Sequence, residues 1–373
     1  MKERLGDYIR EYSVRNKNGN DIPVYSVTNT QGFCQDYFGK EVASKDKSTY
    51  KIVPRGYFAY NPSRINVGSV DWQRYEEQVI VSPLYNVFSV APQLDQQYLY
   101  YYLKSDYALQ RIRAVATGSV RDNLKLAMLY EFPIRVPDLE QQKGITERLD
   151  RARRLIALRE QELETLDELI KARFVEMFDN GLSPIKTVEE MCSVIVDCPH
   201  TTPKYEGDLK NPAIRTSEIK KGYISWDTMR YVSDEEYEER VARLRPMAGD
   251  IVYGREGTFG NAAILPEGYK FCLGQRVMLL RPDFSKCTSE YLLHAVISDD
   301  VYRQAVGKNN ASTVAHVNVK DVKQFRIPLP SFEKQNEFSA FVQQIENAKH
   351  AVNRSLLELQ TLFETLMQEY FGD

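Results

Sequence analysis

Two polar stretches carry the side chains best suited to chemistry. One holds Thr117, Gly118, Ser119, Arg121, Asn123 and Lys125. The other holds Lys308, Asn309, Asn310, Ser312, Thr313, His316 and Asn318. These residue types hydrogen-bond to base edges and phosphates, so the chemistry they offer is recognition rather than bond making. Either stretch alone reads equally well as a solvated loop. Arg111 and Arg113 near the end of an expected helix are phosphate-contact candidates. Tyr60, Arg64, Thr201, Thr202, Lys204 and Arg255 join the nucleic-acid-contact set.

Catalytic patterns are missing. The stretch Gly254-Arg-Glu-Gly-Thr-Phe-Gly260 lacks Gly-x-Gly-x-x-Gly spacing and has no Lys-Ser/Thr after it, so it reads as a wide turn rather than a phosphate cradle. Asn61-Pro62-Ser63-Arg64 lacks the second proline and the aromatic that an amino-methyltransferase motif uses to stack a flipped base. His200, His294, His316 and His350 are scattered, and His294 reads as a packed residue of an apolar helix. Cys198 and His200 are not followed by a second Cys/His pair at zinc-finger spacing. No catalytic residue, cofactor site or metal site is expected in this chain.

What must position the polar stretches is a pair of long helices. Over 138–180, apolar residues at Ile145, Leu149, Ala152, Ile156, Leu163, Leu166, Ile170 and Met177 step by fours and threes, the seam of a coiled coil. From Ile145 to Met177 such a helix spans about 48 Å at ~1.5 Å per residue, which calls for a partner helix. The C-terminal stretch supplies one through Phe338, Val342, Ile345, Val352, Leu356, Leu359, Phe363, Leu366 and Tyr370. Each seam position lies 193 residues after its counterpart, with Val352 and Leu366 answering to Arg159 and Arg173, which interrupt the first seam, and Lys349 answering to Ile156. The same offset relates Gly56 and Tyr60 to Gly249 and Tyr253, Ser119 to Ser312, and Pro137 and Gln142 to Pro330 and Gln335. So many matches at one offset mark a duplicated unit. The polar stretches fall at equivalent places in the two copies with different residues in each. That suits two readers sharing a frame and differing in target.

Each copy reads as a mixed α/β body, with strands first, one helix over 96–116 or 289–307, a polar loop and a short strand into the long helix. The expected organisation is a domain at 1–137, a spacer helix at 138–182, a second domain at 183–330 and a second spacer helix at 331–373. The net charge of −3 hides a division. The first domain carries +4, the second is balanced and the helical stretches carry −7. The helices therefore face protein or water, and the domains remain compatible with DNA. The five cysteines are odd in number and lack Cys-x-x-Cys spacing, as expected of reduced thiols in the cytoplasm. No apolar run reaches the ~18 residues of a membrane span.

The junctions FPIRVPDLEQQ and FRIPLPSFEKQ are the most specific feature. With the GDIVY segment and the Gly118-Ser119-Val120-Arg121 loop, they resemble the specificity subunits of Type I restriction–modification systems across the whole chain. The match is to the family's Ile-x-x-Pro-x-x-x-Glu-Gln signature, from which Lys334 departs at the position that takes Gln or Glu. The resemblance implies a fold of two tandem mixed α/β target-recognition domains joined by two long antiparallel coiled-coil helices. It implies a non-catalytic subunit whose domains each read one half of a split, asymmetric double-stranded DNA site. It further implies that the helices act as a ruler and dock two methyltransferase subunits that bring S-adenosylmethionine. A restriction–translocation subunit that uses ATP and Mg would be a further partner. The alternatives are a coiled-coil scaffold that binds protein only, and a stand-alone DNA-modifying enzyme.

Overall fold

The computed structural model describes residues 2–35, 46–116, 123–179, 181–206, 210–256, 260–308 and 317–372. The chain divides into two compact units, 1–160 with 354–373, and 161–353. Each unit contains one domain plus half of each long helix. The central helix runs Leu139–Phe178 and the terminal helix Phe332–Phe371, 40 residues each and offset by 193 at both ends.

In the first unit, four antiparallel strands lie in the order Ile9–Glu11, Asn86–Val90, Phe58–Tyr60, Val70–Trp72. Phe58 pairs with Trp72 on one side and Phe88 on the other. The Phe58 and Phe88 rings stack at 5.1 Å. Helices Gln96–Lys104 and Asp106–Val115 cover this sheet, and Leu126–Tyr130 follows. A single helix over 96–116 was expected; Ser105 divides it. Its backbone is extended (φ −70°, ψ 151°) and its hydroxyl caps the second helix by accepting from Ala108 N at 3.3 Å.

The second unit repeats this plan. Its strands run Cys192–Asp197, Val277–Pro282, Ile251–Gly254, Ala262–Ile264, in the corresponding order. Helices Ser289–Val296, Asp299–Lys308 and Val319–Lys323 follow. Here Ser298 makes the same break, accepting from Val301 N at 3.3 Å. The unit adds a second four-stranded sheet and a helix, Asp234–Arg240, that the sequence reading left out.

Within each unit the long helices run antiparallel. In the first, Arg148 donates to the Tyr370 hydroxyl at 2.9 Å, and Ile145, Leu149, Phe363, Leu366 and Phe371 belong to one core. In the second, Lys349 pairs with Asp167 at 2.8 Å and Arg173 with Glu337 at 2.6 Å. Ile170, Val342 and Ile345 share that core. The remaining seam positions Ile156, Leu163, Leu166, Val352, Leu356 and Leu359 are all buried or half-buried. The helix ends plug into the domains through equivalent aromatics. Phe371 meets Tyr98 at 5.1 Å, and Phe178 meets Tyr291 at 5.0 Å.

The junction signature has a structural role. The fully buried Gln142 amide accepts from Asp95 N at 2.8 Å and donates to Gln93 O and Pro137 O at 2.9 and 2.7 Å. Gln335 makes the same three bonds, to Thr288 N, Lys286 O and Pro330 O. Each glutamine ties the first turn of a long helix to the segment that opens the domain's first helix. Gly56 and Gly249 both sit at φ 85°, where a side chain would be strained.

Candidate nucleic-acid interface

In the second unit, the candidate residues that can be described gather at one end of the first sheet. Asp197 ends one strand, Gly254 ends another, and Val277 begins the strand between them. Beyond these ends, Arg255 N donates to Arg276 O at 3.0 Å and Val317 N donates to Arg255 O at 3.0 Å. Thr201 and Thr202 are exposed beside them. Thr201 is held by the buried Arg240, which donates to the Thr201 carbonyl at 3.2 Å. The Thr202 hydroxyl accepts from Gln275 Nε2 at 2.9 Å. Lys204 is exposed on the same segment. Asn318, also exposed, opens helix Val319–Lys323 with Nδ2 3.3 Å from Asp321 Oδ2. Lys308 ends its helix.

The first unit has the same frame. Leu124 N donates to Pro62 O at 3.1 Å, which is the Val317–Arg255 bond shifted by 193 residues. Ser63 Oγ donates to Asn123 Oδ1 at 2.7 Å. The exposed Arg64 and Lys125 therefore flank the returning end of the polar loop. Arg113 joins them, its Nε donating to Asn66 O at 3.3 Å. Arg111 turns away, its guanidinium 5.7 Å from the Tyr107 ring and 5.8 Å from that of Phe132. The candidates Thr117, Ser119, Arg121, Asn309, Asn310, Ser312, Thr313 and His316 lie outside the described residues.

Two candidates are corrected. Tyr60 is fully buried; its hydroxyl donates to Leu124 O at 3.0 Å and accepts from Asn86 Nδ2 at 2.8 Å. Burial pushes its ionisation up, so it stays neutral and holds the loop end from beneath. Arg255 is 5 % exposed and pairs with Asp197 at 2.9 Å. That carboxylate also lies 3.5 Å from His200 Nε2. Arg255 thus positions the platform and does not present a free cation. His294 is a packing residue, as expected. Its ring meets Phe338 edge-on at 5.2 Å, and burial pulls its pKa down to about 4.

The sequence reading missed Gln275 and Arg276. Arg276 is the one non-glycine residue at positive φ among those described, 66°, and its side chain is 62 % exposed. The only sequence signal is Gly274-Gln-Arg between two strand-like runs.

The molecule is thus a duplicated two-domain protein that builds two equivalent polar surface sites on a common frame, each domain anchored to a pair of long helices. The chain belongs to the Type I restriction modification DNA specificity domain family, whose pattern matches it twice, over residues 7–168 and 189–360. It is 26 % identical over 171 residues to a putative MjaX specificity subunit of Methanocaldococcus jannaschii, covering 43 % of this chain and 39 % of that one. It is 23 % identical over 235 residues to the EcoBI specificity subunit of Escherichia coli, covering 61 % and 47 %. It spans less than half the length of both relatives. A putative specificity subunit of Haemophilus influenzae is 22 % identical over 368 residues, covering 90 % and 83 %. Two solved structures share the fold over the whole chain. One is a chain of a type I R-M system (TM-score 0.63, 17 % identity, 97 % of that chain). The other is the Type-I restriction-modification S subunit from M. genitalium (0.57, 14 %, 96 %).

Proposed function

We propose that this chain is the non-catalytic DNA-specificity subunit of a Type I restriction–modification complex. Each domain reads one half of a split, asymmetric duplex site. The observation that carries this reading is the shared anchor, Leu124–Pro62 in one copy and Val317–Arg255 in the other. It fixes the ends of two polar loops at the same point of the frame while their residues differ. That is the arrangement two independent readers require.

The long helices dock two methyltransferase subunits, which supply S-adenosylmethionine, and a restriction subunit supplies ATP and Mg. Exposed apolar residues support docking: Leu155 and Leu158 in one half of the central helix, Leu169 and Val175 in the other, and Leu357 and Leu362 on the terminal helix. Contiguous exposed apolar surface marks a protein contact, and Leu155 and Leu158, three residues apart, share one face of the central helix. The complex works on DNA in the cytoplasm; no helix among the described residues is long and apolar enough to cross a membrane. Co-expression with the methyltransferase subunit tests the assignment. The two proteins co-purify and the pair retains duplex DNA, whereas either alone does not. An S-adenosylmethionine complex formed by this chain alone would contradict the reading.

A further inference from the structure

The strained residue of the second domain lies at the polar site, and its strain has no packing explanation. Residues 274–276 form a turn pinned at both ends. Gly274 N donates to Ile214 O at 2.7 Å, and a Cβ on Gly274 would sit 2.6 Å from Arg215 Cγ. At the other end, Arg276 O accepts from Arg255 N at 3.0 Å, and Val277 pairs with Gly254. Between these pins Arg276 is held at φ 66°. Glycine satisfies that backbone freely, whereas a Cβ makes it unfavourable. The arginine side chain recovers little from packing, because 62 % of it is exposed. Its one ionic partner among the described residues is Glu256, 3.0 Å from Nε. That contact orients the guanidinium and leaves both terminal nitrogens without a partner among the described residues. The neighbours are polar and also fixed: Thr202 by Gln275, and Asp197 by Arg255.

We propose that Arg276 is a base-reading arginine of the second domain, its two terminal nitrogens donating to O6 and N7 of one guanine. This rests on the DNA-specificity reading above. A guanidinium anchored through Nε presents a flat two-donor edge, which matches the guanine major-groove edge and no other base. By strand register the first domain has Leu84 at the equivalent position, so the contact belongs to one half-site alone.

The test uses the full complex of this chain with its methyltransferase subunit, as wild type, R276G and R276K. Genome-wide sequencing of modified bases gives the motif, and duplexes varied at each position give the affinities. Glycine removes the side chain and the strain together, so R276G keeps its fold; a Trp226 fluorescence unfolding midpoint that is unchanged or raised, read in a W72F background, checks this. The wild type yields a split motif with a G·C pair in one half. R276G relaxes that one position, leaves the other half and the gap intact, and binds the cognate duplex about 10- to 100-fold more weakly. R276K stays relaxed. The proposal is overturned by a motif and affinity unchanged in R276G, by equal weakening on every duplex, by full rescue in R276K, or by the absence of a G·C pair in that half. A wild-type complex with no split motif would instead overturn the functional reading.

Discussion

Removing one buried amide should unfasten the second domain from its helix. Gln335 is fully buried and makes three hydrogen bonds, at 2.9, 3.0 and 3.0 Å. In Q335A these are lost. At ~1 kcal/mol net for each bond, with ~1 kcal/mol more for leaving the Thr288 amide unpaired, the cost is about 3–4 kcal/mol. The chain has two tryptophans, Trp72 in the first unit and Trp226 in the second. In a W72F background, Trp226 fluorescence therefore reports the second unit. With a urea slope of about 2–3 kcal/mol per molar, its midpoint should fall by more than ~1 M. Q142A in a W226F background should move the Trp72 transition by a similar amount. A shift under ~0.3 M in either would refute the claim that these glutamines secure the junctions.

The paired tyrosines Tyr60 and Tyr253 should respond differently. Y60F removes two hydrogen bonds and should destabilise by ~1–2 kcal/mol, whereas the buried Tyr253 hydroxyl has no partner among the described residues, so Y253F should be neutral or stabilising by urea denaturation. The pKa of His294 is pulled below its ordinary 6.5 to about 4 by burial first and by Lys349 second, with Asp167 opposing. The unfolded chain therefore binds more protons between these values, and stability is full above pH 6.5 and falls as the pH drops toward 4. H294L should flatten that slope by on the order of 2 kcal/mol in thermal unfolding across pH 4–7, and an unchanged slope would show that His294 is not the titrating group. Four residues inserted in both long helices add about 6 Å, so the gap of the methylated motif should grow by one or two base pairs at ~3.4 Å each; an unchanged gap would refute the ruler.

The repeat could be read from sequence because its register survives intact. Both long helices begin and end 193 residues apart, and the buried glutamines belong to the junction motif itself. Local chemistry inside the domains was harder to read. The apolar pattern runs without interruption through Ser105, whose role as a cap depends on its backbone turning extended. Tyrosine suits both surface and core, so its type does not place Tyr60, and the Asn86 that holds it lies 26 residues away. Arg255 looked free because Asp197, 58 residues upstream, meets it only across the sheet. The positive φ of Arg276 follows from pins at Gly274 and Val277, and no residue type announces it.

The central claim is that each domain reads one half of a split site. Its most direct test is to co-express the chain with its methyltransferase subunit, replace residues 308–316 with an unrelated polar loop, and sequence the modified bases genome-wide. The account predicts a split motif with a fixed gap that is lost when this chain is omitted. It predicts that the loop replacement changes one half of the motif and leaves the other half and the gap unchanged. Methylation that persists without the chain, a continuous motif, or a change in both halves would contradict it.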